Sequence, residues 1–225
     1  MTTRVTFPSK TGSETSGELA EPSGSGKVPT VVLLQEWWGV NDHIRDLCER
    51  LAKEGFLVLA PDLFHGKTTK DASEAAKLMT ALDTDLAVKD IAGACAYLEA
   101  HPRSNGKVGV VGFCMGGALT LTSACHIEGL SAVAPFYGIP SAEKVDYSKV
   151  TAPMMGHYAT RDEYIPVDKP KELQRQLEAN GKSMELYFYD ANHAFANDTR
   201  PEVYSAESTK LAWERTVAFF KKHLA

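Results

Sequence analysis

Short apolar runs that recur with helical patterns between them restrict the fold of this 225-residue chain more than any other feature. Residues 31–34 and 56–60 are apolar without interruption, and further strand-like runs lie at 107–113, 132–137, 152–158 and 184–190. A strand with one face in water alternates polar and apolar residues. A run without alternation is buried on both faces, as strands of parallel sheets are. Helical patterns at about 85–100, 116–126, 168–180 and 206–223 separate the later strands. An earlier one places Ile44, Leu47, Cys48 and Leu51 on one stripe, with Asn41 or Asp42 as N-cap and Gly55 as terminator. The alternation predicts an α/β fold: a mostly parallel central sheet flanked by helices on both faces, with functional groups at the carboxyl ends of its strands. Residues 3–30, with the turn-rich stretch 22–26, suggest a short N-terminal antiparallel hairpin at the sheet edge. No repeat or low-complexity linker divides the chain, so residues 1–225 are expected to form one domain.

Composition narrows the function classes. At 44% hydrophobic and 24% charged the chain has the means to build a core, and a net charge of −5 leaves no basic surplus for nucleic acid. No segment approaches 18 uninterrupted apolar residues and the N-terminus lacks a signal-peptide core, so a soluble, cytoplasmic protein without membrane partners is expected. A monomer or small homo-oligomer fits such a chain. The four cysteines, Cys48, Cys95, Cys114 and Cys125, show no metal-binding spacing.

Cys114 stands apart from the other three. The segment 107–117 (KVGVVGFCMGG) is a buried strand running into a helix through Gly112-Phe113-Cys114-Met115-Gly116. Glycines two before and two after a nucleophile permit the sharp turn that holds it above the sheet, and the helix N-terminus behind it favours a thiolate. The other reading makes Cys114 a packed hydrophobe and the glycines mere room for close packing.

A cysteine nucleophile needs a base and an orienting acid, which in this architecture follow in the order nucleophile, acid, histidine. His126 ends the helix after the turn, His157 lies in a predicted strand before the acid, and His223 sits near the tail. His193, in the loop after the strand at 184–190, is the expected base. Asp162, after the strand at 152–158, is the expected acid, against the reading that it caps a turn or pairs with Arg161. Gln35-Glu36-Trp37-Trp38-Gly39 follows the first long buried strand. Its backbone can supply half of an oxyanion hole, the N–H of Trp37 being the choice, with the N–H of Met115 as the other half. Glu36 is either a solvated loop charge or a carboxylate that raises the thiol pKa or takes its proton.

With 112–117 (GFCMGG), Gln35-Glu36, 61–66 (PDLFHG), 136–138 (FYG) and 192–195 (NHAF), the chain resembles the dienelactone hydrolase family over nearly its whole length. The resemblance implies the α/β-hydrolase fold and a triad of Cys114, Asp162 and His193, with Glu36 accepting the thiol proton when substrate binds. It also implies hydrolysis of a small ester or lactone through an acyl-enzyme thioester, without metal or organic cofactor. Trp38, Tyr137 and Phe195 are expected to wall the substrate pocket. One departure bears on specificity. The enzymes that give the family its name grip a substrate carboxylate with two arginines, one of them four residues after the histidine. Here that position is Asn197, the nearest arginine is Arg200, and residues 61–90 offer only Lys67, Lys70, Lys77 and Lys89. A substrate other than dienelactone is therefore expected, with a thioesterase, a broad carboxylesterase or, from another class, a redox-sensing thiol protein as the alternatives.

Overall fold

A computed structural model describes residues 1–225. Eight strands form one sheet in the order β1-β2-β4-β3-β5-β6-β7-β8: β1 (Thr3–Pro8), β2 (Glu14–Ala20), β3 (Val28–Leu34), β4 (Leu57–Pro61), β5 (Ser104–Phe113), β6 (Ala132–Phe136), β7 (Met154–Ala159) and β8 (Met184–Tyr189). Strands β3 to β8 run parallel, while β1 and β2 form an antiparallel edge hairpin whose β2 pairs antiparallel with β4. The hairpin turns at 9–13, where Ser9 N–H bonds the Ser13 carbonyl and Gly12 takes φ +91. The stretch at 22–26 instead carries the chain from β2 across to β3, fastened by the Arg103 guanidinium to Glu21 and the Pro22 carbonyl.

Helices cover both faces, which is why the strands carry no alternation. Along β3, Val32 and Leu34 pack toward α3 (Thr84–Ala100), α4 (Met115–His126) and α5 (Asp168–Ala179). Val31 and Leu33 pack the other way, toward α1 (Asp42–Lys53) and α6 (Ala206–Leu224). Each layer holds 30 buried hydrophobic residues, so neither face of the central strands is left to water. Asn41 is the N-cap of α1, its side-chain oxygen accepting from Ile44 N–H at 3.1 Å, and Gly55 takes φ +99 just past the C-cap. One helix escapes the periodicity argument. In α2 (Ala72–Ala81) only Ala75 is buried, so no apolar stripe marks it.

Candidate active site

Five strand-to-loop junctions at one end of the sheet, those after β3, β5, β6, β7 and β8, converge on a cavity of about 710 Å³. One of them follows β5. Cys114 sits at φ 53, ψ −113, a left-handed backbone that a non-glycine residue adopts only when its surroundings impose it. Its N–H is bonded to the Phe136 carbonyl on β6 at 3.1 Å, and its carbonyl accepts the Ala118 N–H that opens α4, also at 3.1 Å. A side chain at position 116 would overlap the Leu34 carbonyl at the end of β3, and one at 112 would overlap the Gly116 carbonyl. Both glycines are thus required for α4 to start so close to the sheet.

His193 and Asp162 come from the loops after β8 and β7. One Asp162 oxygen accepts the N–H groups of Tyr164 and Ile165, each at 2.8 Å, which curls residues 162–165 into a tight turn. The other meets His193 Nδ1 at 2.7 Å. Burial works against the Asp162 charge, but the His193 bond and charge and the two N–H groups outweigh it, and its pKa falls below the usual aspartate value. An ionised carboxylate can only accept, so Nδ1 donates and Nε2 is left as the free ring nitrogen. The ring lies between Tyr137 and Tyr164, with centroids 5.1 and 5.0 Å away, and walls the cavity together with Cys114. Asp162 thus both closes its turn and bonds His193, whereas Arg161 pairs with Asp190.

Glu36, just beyond β3, is 2% exposed. Its Oε2 accepts Asn197 Nδ2 at 2.6 Å, while Oε1 has no partner. Burial raises its pKa to about 7, with the Asn197 bond and the charges of His193 and Arg200 opposing. Burial and the neighbouring Glu36 charge push the Cys114 thiol up to about 12, and the Met115 N–H beside it pulls the other way without prevailing. The thiolate that a helix N-terminus alone would favour is therefore a thiol at rest. Trp37 and Met115 line the cavity next to Cys114. The 61–66 turn supports this loop from below: Gln35 Oε1 accepts Leu63 N–H at 3.1 Å, and Asp62 accepts Gly66 N–H at 2.8 Å and Arg4 at 2.9 Å.

Trp38 and Tyr137 line the cavity, but Phe195 does not. It is fully buried behind Tyr137, packed on Phe136, Tyr137 and Tyr189, because the turn after His193 (Ala194, φ 61) swings the following side chain inward to the core. Several wall residues had no signal in the sequence. Met79 comes from the exposed helix α2, and Tyr164 and Ile165 from the Asp162 turn. Arg200 reaches the wall with its guanidinium 5.7 Å from the Trp38 ring and paired to Glu202 at 2.8 Å. No group of three or more His, Cys, Asp or Glu is arranged to hold a metal ion.

The fold and site can be set beside known proteins. A family model described as the dienelactone hydrolase family matches residues 15–224. Protein usf of Aquifex pyrophilus is 34% identical over 229 residues, covering 96% of this chain and 96% of the relative. A candidate carboxymethylenebutenolidase of Aquifex aeolicus is 32% identical over 229 residues with the same coverage. Among solved structures, a candidate dienelactone hydrolase of Klebsiella pneumoniae is similar with a TM-score of 0.86 and 29% identity, spanning 97% of this chain and 99% of that one.

Proposed function

The chain belongs to the dienelactone hydrolase family, is an α/β-hydrolase acting on ester bonds, and on that premise we propose that it cleaves small esters or lactones through Cys114, His193 and Asp162. The observation that carries this reading is a cysteine on a strained strand-to-helix turn and His193 walling one cavity, with Asp162 buried behind the histidine and bonded to it at 2.7 Å.

In this mechanism Glu36 takes the thiol proton as substrate enters, and the thiolate attacks the ester carbonyl carbon. The backbone N–H groups of Trp37 and Met115 hold the resulting oxyanion. Its collapse breaks the carbon–oxygen bond, and the proton that left the sulfur reaches the departing alcohol through His193. His193 then draws a proton from water, whose oxygen attacks the thioester carbonyl. Expulsion of the sulfur yields the carboxylic acid and restores the thiol. Asp162 keeps Nε2 of His193 available as acceptor throughout.

The redox-sensor alternative has the chemistry against it. A sensor cysteine needs a low pKa and access to oxidant, and this thiol is held high by burial and a carboxylate neighbour. Hydrolysis of a chromogenic small ester by wild type and by Cys114→Ala, with iodoacetamide labelling in parallel, tests the proposal. Turnover that disappears in Cys114→Ala, with Cys114 labelled in wild type, is the expected result. Equal activity in the two proteins overturns it.

A further inference from the structure

Asn197 has a side chain whose two ends are committed to different partners. It is 1% exposed. Its Oδ1 accepts both the N–H and the hydroxyl of Thr199, at 3.1 and 2.6 Å, and its Nδ2 donates to Glu36 Oε2 at 2.6 Å. The amide cannot be turned over, because a flip would set NH₂ against two donors and an oxygen against a carboxylate. The loop that carries it is anchored to a neighbouring helix: Asp198 pairs with Arg50 of α1 and lies 3.4 Å from His43 of the same helix. Turn formation accounts for the Oδ1 bonds. It does not account for Nδ2, whose sole partner is a buried carboxylate 161 residues away in sequence.

We propose that Asn197 is a positioning residue for thiol activation, holding Glu36 by one oxygen so that the other remains free to receive the Cys114 proton. The geometry meets the requirement on each side. Oε1 of Glu36 is buried without any partner, a costly arrangement unless something visits it. The groups facing Glu36 are Asn197, His193 and Arg200 from the loop after β8, Tyr137 from the end of β6, and Cys114. Of these, Asn197 forms the hydrogen bond of 2.6 Å to the carboxyl, and both it and the weaker approach of the Tyr137 hydroxyl favour the ionised, proton-accepting form. A neutral amide does this without pairing off the charge, so the carboxylate stays basic. An arginine at the same place would ionise Glu36 more fully and leave it a weaker base.

The inference rests on Cys114 being the nucleophile, so its test uses two readouts. One is the alkylation rate of Cys114 by iodoacetamide between pH 5 and 9, followed on its peptide by mass spectrometry. The other is the pH profile of kcat/KM on p-nitrophenyl acetate. Asn197→Ala and Asn197→Asp are compared with wild type. The second keeps Oδ1 for Thr199 and so preserves the turn, while exchanging the donor for an acidic oxygen that faces Glu36; alanine removes the donor without adding a charge. Losing a hydrogen bond to a carboxylate moves the rising limb of both profiles upward by about one pH unit. At pH 6 the variants then fall about tenfold below wild type, and by pH 9 they recover. A limb that stays in place in both variants overturns the proposal, as does a loss of reactivity equal at every pH. If wild type is alkylated but does not hydrolyse esters, the functional reading fails while the alkylation limb still decides the role of Asn197.

Discussion

At Cys114 and Glu36 two acids share one buried corner: burial makes both harder to ionise, and the Glu36 charge adds to the effect on the thiol. The price falls on stability. The Glu36 carboxyl is neutral in folded and unfolded chains below pH 4.5. Between 4.5 and about 7 the unfolded chain releases the proton while the folded one keeps it, so stability declines through that window, and above 7 the full cost is present. Glu36→Gln removes this titration while keeping the shape. It is expected to raise stability at pH 8 by about 3 kcal/mol relative to pH 4.5, read as the difference between urea midpoints of variant and wild type at the two pH values. The same variant loses esterase activity at all pH values if the carboxylate receives the thiol proton. Residues such as Cys114 and His193 are legible in sequence because glycines flank the one and chain order singles out the other. Asn197 is not, since what defines it is a partner on a distant strand end. Phe195 turns away from the expected cavity for a related reason: adjacency to His193 says nothing about direction once a positive-φ residue intervenes.

Among the elements, β7, β8 and α6 are joined through His157, which is fully buried. Its Nδ1 accepts the Tyr189 hydroxyl at 2.8 Å, and its Nε2 donates to Thr216 Oγ1 at 2.9 Å, that hydroxyl being engaged in turn with the Ala212 carbonyl. Both ring nitrogens are satisfied only in the neutral form. Burial and the charge of Arg215 lower the pKa to about 3. A lowered histidine leaves the unfolded chain binding the extra proton, so its contribution is intact above pH 6.5 and is lost as pH falls toward 3. The stability advantage of wild type over His157→Gln is therefore expected to shrink by about 2–3 kcal/mol between pH 7 and pH 4.5, measured by urea unfolding. The strands and the five core-facing helices are legible in the sequence because each buries a continuous run or a stripe. Helix α2 is illegible because its one buried residue leaves no stripe, and the position of the hairpin turn was obscured by a second, more glycine-rich stretch.

Over the whole molecule, the alternation of strand and helix was enough to specify a two-layered parallel core, but not what lines the space above it. That space is mostly apolar, and its two arginines are already engaged, Arg161 by Asp190 and Arg200 by Glu202 and the Trp38 ring. A substrate carboxylate would have to displace these partners. Neutral esters are thus expected to be turned over with kcat/KM at least tenfold above matched esters carrying a free carboxylate, dienelactone included. The reverse order in a substrate panel would refute that. The outer wall of the cavity is drawn from α2 and from the turn after Asp162, segments that hang outside the sheet and share little of its core. Heredity can therefore treat α2 as replaceable. A lineage that swaps Met79 edits its diet while the strand ends that hold the reacting groups pass on unaltered, so descendants of one ancestor can part in what they consume and still share how they consume it.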